Sequence, residues 1–141
     1  MIKKMILLLS GIMLGAMLFA GSGTINFVET TVELNKDGTA KVTYIVQWKV
    51  LSGELHGFYF NGNEKLYIPS FTETWAEDEA GNNYGLDITK VSDDKWDIIL
   101  ADGKGIGKGN VTFHFSFVTD FKKASYVGYT TCDDSTELVY F

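Results

Sequence analysis

Gly103-Lys104-Gly105-Ile106-Gly107-Lys108-Gly109 comes nearest, of any segment in this 141-residue chain, to phosphate chemistry. A phosphate loop needs G-x-x-x-x-G-K-[ST] followed by a helix, so that backbone N–H groups and the helix N-terminus face the phosphates. Here Gly109 stands where Ser or Thr is required, the spacing is one residue short, and a strand pattern follows. The segment reads as a flexible hairpin loop. Glu73, Glu77, Asp78 and Glu79, with Asn82 and Asn83, offer oxygen ligands of the kind Ca²⁺ takes, but without EF-hand or nonapeptide spacing they read as a solvated acidic loop. Asp93, Asp94, Asp97 and Asp102 are equally scattered. His56 and His114 lack metal-ligand spacing and read as exposed or hydrogen-bonded structural histidines. Cys132, the only cysteine, reads as a small buried apolar residue. No serine sits in G-x-S-x-G, and no nucleophile–base set is visible. The residues point to no enzyme and to no cofactor or metal.

Aromatic side chains are the remaining candidates. Trp48, Trp75, Trp96, Tyr59, Tyr67 and Tyr84 could form a platform for sugar rings. Trp48 shares a strand face with Val42, Tyr44, Val46 and Val50, so it belongs to the core. Trp75 lies among Glu73, Thr74, Glu77 and Asp78, a more exposed setting. Trp75, with Tyr84, is the candidate ligand-binding pair.

The elements that must position these residues read as β. Along 41–50, Val42, Tyr44, Val46, Trp48 and Val50 alternate with Lys41, Thr43, Ile45, Gln47 and Lys49, so one set faces inward and the other outward. Ile45 is the one apolar residue on the polar face. A preceding strand, Ile25–Leu34, joins it through Asn35-Lys36-Asp37-Gly38, whose Asp-Gly suits a tight hairpin. Further strands are expected at Leu55–Phe60, Lys65–Ile68, Phe71–Glu77, Tyr84–Thr89, Lys95–Leu100 and Asn110–Val118. Short strands at this spacing imply an all-β fold: an antiparallel, immunoglobulin-like β-sandwich of seven to nine strands. Glu137-Leu138-Val139-Tyr140-Phe141 reads as an apolar strand that stops abruptly, as it would in a fragment of a longer protein.

The N-terminus sets the destination. Lys3 and Lys4 precede an apolar run, Met5 to Phe19, closed by Ala20, Gly21, Ser22 and Gly23. That is the pattern of a secretory signal peptide, too short to span a membrane as a stable helix. Ala20 and Ser22 at −3 and −1 place cleavage after Ser22; cleavage after Ala20 competes. An uncleaved anchor is the other reading, with Gly11 and Gly15 forming a G-x-x-x-G. Removing residues 1–22 leaves 119 residues, one ordinary domain over 23–141. It also removes Lys3 and Lys4, taking the net charge from −6 to −8. All twelve basic residues are lysine, so nucleic acid and anionic lipid are poor partners.

One order of motifs is familiar: Lys36-Asp37-Gly38, Ala40-Lys41-Val42-Thr43, Gly57-Phe58, Tyr67-Ile68-Pro69 and Gly109-Asn110-Val111-Thr112-Phe113. Across most of residues 25–120 this resembles the N-terminal extracytoplasmic region of a domain-of-unknown-function family of bacterial predicted membrane proteins. The resemblance implies a signal peptide, a β-sandwich and transmembrane helices downstream, and supplies no catalytic residues. The function expected is a non-catalytic extracytoplasmic domain making protein contacts, the exported part of a larger membrane or envelope protein. The alternative is a carbohydrate- or ligand-binding sandwich using exposed aromatics. N-terminal sequencing of exported material is expected to begin at Gly23 or within about two residues of it; an intact Met1 would contradict export with cleavage.

Overall fold

The computed structural model describes residues 4–5, 21–62, 65–131 and 137–140. Ten strands follow in chain order: β1 (Lys4–Met5), β2 (Ser22–Leu34), β3 (Thr39–Ser52), β4 (Gly57–Asn61), β5 (Phe71–Asp78), β6 (Asn83–Ser92), β7 (Lys95–Leu100), β8 (Gly109–Asp120), β9 (Gly128–Thr131) and β10 (Glu137–Tyr140). Apart from one 3-10 turn, Ala101–Gly103, no helix occurs among the described residues. The signal peptide expected over residues 1–22 lies outside the described residues apart from Lys4–Met5, Gly21 and Ser22, and so does Cys132.

Antiparallel all-β architecture is as the alternation implies. The sheet order is β1-β2-β3-β8-β5-β6-β7-β4, with β9 and β10 forming a separate ribbon. This differs from the two separate sheets of an immunoglobulin-like sandwich. Strand β6 is the reason. Asn83–Gly85 pairs with Glu77–Trp75 of β5, and Leu86–Ser92 then pairs with β7. One strand serves both halves, so the sheet stays continuous and curls into a half-barrel, with β4 and β7 over the inner face of β3 and β8. Ring contacts mark the closure: Tyr44 to Phe60 and Phe58 to Phe113 at 5.1 Å, and Phe60 to Phe115 at 5.2 Å.

The core falls where the alternation places it. Val42, Tyr44, Val46, Trp48, Phe113, Phe115 and Phe117 are all buried, joined by Phe58, Phe60, Trp96, Ile98 and Leu100 from the curled end. The β2–β3 hairpin turns as expected. Asp37 Oδ1 accepts from the Thr39 N–H at 2.9 Å and from its hydroxyl at 2.6 Å. Gly38 adopts φ +89°, and a Cβ there would lie 2.6 Å from Lys122 Cβ, so glycine answers both the conformation and the close approach.

Three local expectations change. Lys65–Ile68 is not a strand: Ile68 is buried, the Tyr67 ring is 73% exposed, and the Tyr67 carbonyl accepts from Thr119 Oγ1 at 2.7 Å. With Pro69 following, the segment runs as a loop whose carbonyl bonds a side chain instead of a ladder partner. The glycine-rich segment joins no hairpin, because β7 pairs with β4 and β6 whereas β8 pairs with β3 and β5. It crosses between the halves of the curl and is tied at its centre: the Leu55 N–H donates to Ile106 O at 2.9 Å, and the Ile106 N–H to Leu55 O at 3.0 Å. Gly105 is held against Glu54 and His56, both within 2.7 Å of where a Cβ would stand. Strand β9 has no counterpart in the expectations; Gly-Tyr-Thr-Thr is too short to show a period.

Trp48 is 1% exposed, in the middle of the core. Trp48→Ala is expected to destabilise by about 3–5 kcal/mol, and Tyr67→Ala, on the exposed loop, by no more than about 0.5 kcal/mol. Urea unfolding of both variants checks this, and equal losses would contradict the core assignment.

Candidate functional site

The outer face of the sheet is organised around an irregularity in β5. Thr72 pairs with Ser116 and Trp75 with His114, so Glu73 and Thr74 together oppose Phe115 alone. This is a β-bulge, with Glu73 at φ +53°. It puts Glu73 on the outer face beside Thr72. There the Glu73 carboxylate accepts from Lys41 Nζ at 2.9 Å and from the buried Ser116 hydroxyl at 3.1 Å. Ser116 Oγ and Thr43 Oγ1 lie 2.9 Å apart and share a further hydrogen bond. The Lys41 hydrogen bond, then that of Ser116, holds the Glu73 carboxyl below the usual carboxylate range, and the same contact raises Lys41. Both members stay charged near neutrality. Lysine held protonated is no base for the Ser116 hydroxyl, which donates to the Glu73 carboxylate instead.

Trp75 lies on the same face. Its indole stacks flat on His114, with centroids 3.9 Å apart and planes within 3°. It remains 37% exposed. Burial pushes the His114 imidazole below its ordinary value of 6.5, against the pull of Glu77, whose Oε1 is 4.0 Å from Nε2. That Nε2 is itself buried with no hydrogen-bond partner among the described residues. A neutral ring stacked on indole suits this site; a charged one would want Glu77 closer. Asn26, Gln47, Thr112 and Asn110 continue the polar face toward the far end of the sheet.

Tyr84 is not part of this surface. It pairs with buried Ala76, so it projects inward, and it packs against the core. Its hydroxyl donates to Asp78 Oδ2 at 2.8 Å. Asp78 also accepts from Asn82 Nδ2 and from the N–H groups of Ala80 and Asn82, closing the β5–β6 turn. The Asn82 bonds lead in pulling its carboxyl down to about 2. So the structure places Trp75 and Tyr84 on opposite faces and does not bring them together. The acidic residues do not assemble either: no group of three metal-ligating side chains occurs among the described residues. His56 joins its loop, with Nδ1 3.0 Å from Lys104 O.

An open cleft of about 410 Å³ lies beside the bulge, with Ile68, Phe71, Thr74, Leu86, Ile88 and Trp96 in its lining and Lys90 at its edge. Neither it nor the Lys41–Glu73–Ser116 cluster is among the sequence expectations. The cluster left one trace. Phe71 and Ala76 both face inward although five positions apart, and strict alternation forbids that, so a shift of parity between them is legible. The cleft left none, because Leu86 and Ile88 look like ordinary core residues.

A family model described as the N-terminal domain of predicted membrane proteins (DUF2207) matches residues 24–130. No curated protein matches the chain.

Because folding depresses the His114 value, the neutral ring contributes stability in full above about pH 6.5. That contribution is lost as pH falls from there toward the folded-state value. The urea midpoint is therefore expected to drop between about pH 7.5 and pH 5.5, and to drop less in His114→Gln. An identical drop in the variant would assign the pH dependence to another group.

Proposed function

Because this chain belongs to the family of predicted membrane proteins whose N-terminal domain it carries, we propose that the domain is a non-catalytic contact module held outside the cytoplasm. It serves the membrane protein by binding a protein partner. Lys3, Lys4 and the apolar run after them support export. No helix among the described residues is long and apolar enough to cross a membrane. The observation that carries the reading is Trp75. Tryptophan is favoured at interface hot spots because it offers a large, stiff contact area. Here stacking on His114 fixes the ring before any partner arrives, and exposed Val118 extends the same face past Lys41.

A second reading uses the same residue. An exposed indole bordered by Glu77 and Thr112 is also what a sugar ring stacks on. Without Tyr84 on that face, the site reduces to one aromatic.

Two measurements test the proposal in the full-length membrane protein. With Cys132→Ser as background, Asp93→Cys is expected to react with a membrane-impermeant maleimide on intact cells; labelling only after permeabilisation would refute the location. A photo-crosslinking residue in place of Val118 is expected to capture a protein, and one in place of exposed Lys108, just before β8 and at the opposite end of that strand, is not. No capture from position 118, together with glycan-array binding lost in Trp75→Ala, would favour the sugar reading.

A further inference from the structure

Strands β5 and β6 part company after one short pairing. Trp75 opposite Gly85 is the last pair; beyond it Phe71 and Thr72 hold to β8 alone, and Leu86–Ser92 holds to β7 alone. Two strand edges therefore face each other across the cleft with no ladder between them. The effect shows in burial. Ile98 and Leu100 of β7 are fully buried, whereas their partners Ile88 and Leu86 are only half-buried, because β6 has no neighbour on its other side. The cleft floor is Phe71, Ile68 and buried Trp96.

We propose that this cleft receives one extended segment of a protein partner, added as a strand along β5 or β6. The proposal rests on the contact-module reading and narrows it to recognition of a backbone. Three features argue for such an occupant. A strand edge offers alternating N–H and C=O groups, whose complement is another extended backbone. The floor is apolar, so every second side chain of the segment is apolar and points inward toward Leu86, Ile88 and Trp96. Lys90 is the one charged side chain lining the cleft, in a chain of net charge −6, so the segment carries a carboxylate where it passes Lys90. Lys90 Nζ now lies 3.3 Å from Asp93, but both are exposed, and an exposed pair of this kind is weak enough to exchange partners. Thr74, which lines the cleft, directly precedes Trp75 in β5, so a partner on the outer face can send a segment through the parting.

The probe is an acetylated and amidated hexapeptide, glutamate followed by alternating threonine and valine, so that the carboxylate and the valines share one face, titrated into the full chain. Saturable binding is expected, with amide exchange slowed at least about tenfold at 71–74 and 86–90. N-methylation of alternate peptide amides should weaken binding at least about tenfold, since it removes donors and leaves the side chains. Lys90→Glu should reverse the preference between the glutamate peptide and its lysine counterpart, a readout that needs no core change. Equal binding of the N-methylated peptide would reduce the site to a greasy groove and overturn the proposal. So would absence of saturable binding, protection elsewhere, or a dimer of this chain that protects the same amides unaided. Failure of the contact-module reading looks different: peptide binding intact, with no cross-link in cells.

Discussion

A sheet with one apolar face has to bury that face against something. Among the described elements only a two-stranded ribbon and one 3-10 turn lie outside this sheet, so the sheet covers itself. Phe58 and Phe60 of β4 come down on Tyr44, Phe113 and Phe115, Trp96 of β7 packs on Phe71 of β5, and the rings meet edge to face at 5–6 Å. Such arrangements are favoured by the aromatic quadrupole and fill space without voids. Every other feature of the fold follows from bringing the β4–β7 end over the β3–β8 middle.

Self-closure of this kind bends a sheet more sharply than twist alone provides, and the bend has to be accommodated somewhere. Here it falls between β5 and β6. The bulge at Glu73–Thr74 turns β5, and β6 passes from one half to the other after only three paired residues. Both devices leave marks on the surface. The bulge places a carboxylate over Lys41 and Ser116 on the outer face, and the separation of strands exposes Leu86 and Ile88 on the inner one. The two features on which a partner could act are thus by-products of one geometric demand, which is why they adjoin.

The glycine-rich crossover shows the same logic. Read in sequence, 103–109 is a loop between neighbouring strands. In the fold its ends belong to different halves of the curl, and Ile106 is pinned to Leu55 so that the crossing covers the barrel end. Gly105 is small because Glu54 and His56 occupy the space beside it. Glycine in this loop answers to crowding there, where phosphate chemistry or simple flexibility would be the reading from composition.

Local pattern alone determined the class, most strand positions, the β2–β3 hairpin and the core residues of β3 and β8. Each depends on alternation or turn chemistry within a few neighbours, and Lys95–Leu100 even has the ends the pattern implies. Exposure of Trp75 was legible too, from its acidic surroundings. What the tertiary structure decided is everything that depends on which strand lies beside which. One curled sheet in place of two, Tyr84 turned inward while Trp75 faces out, His114 under the indole, and the open edges of β5 and β6 all follow from pairings between residues far apart in the chain. Period-two alternation says that a residue faces in or out. It carries no information about the neighbour across the ladder, and here that neighbour makes each site.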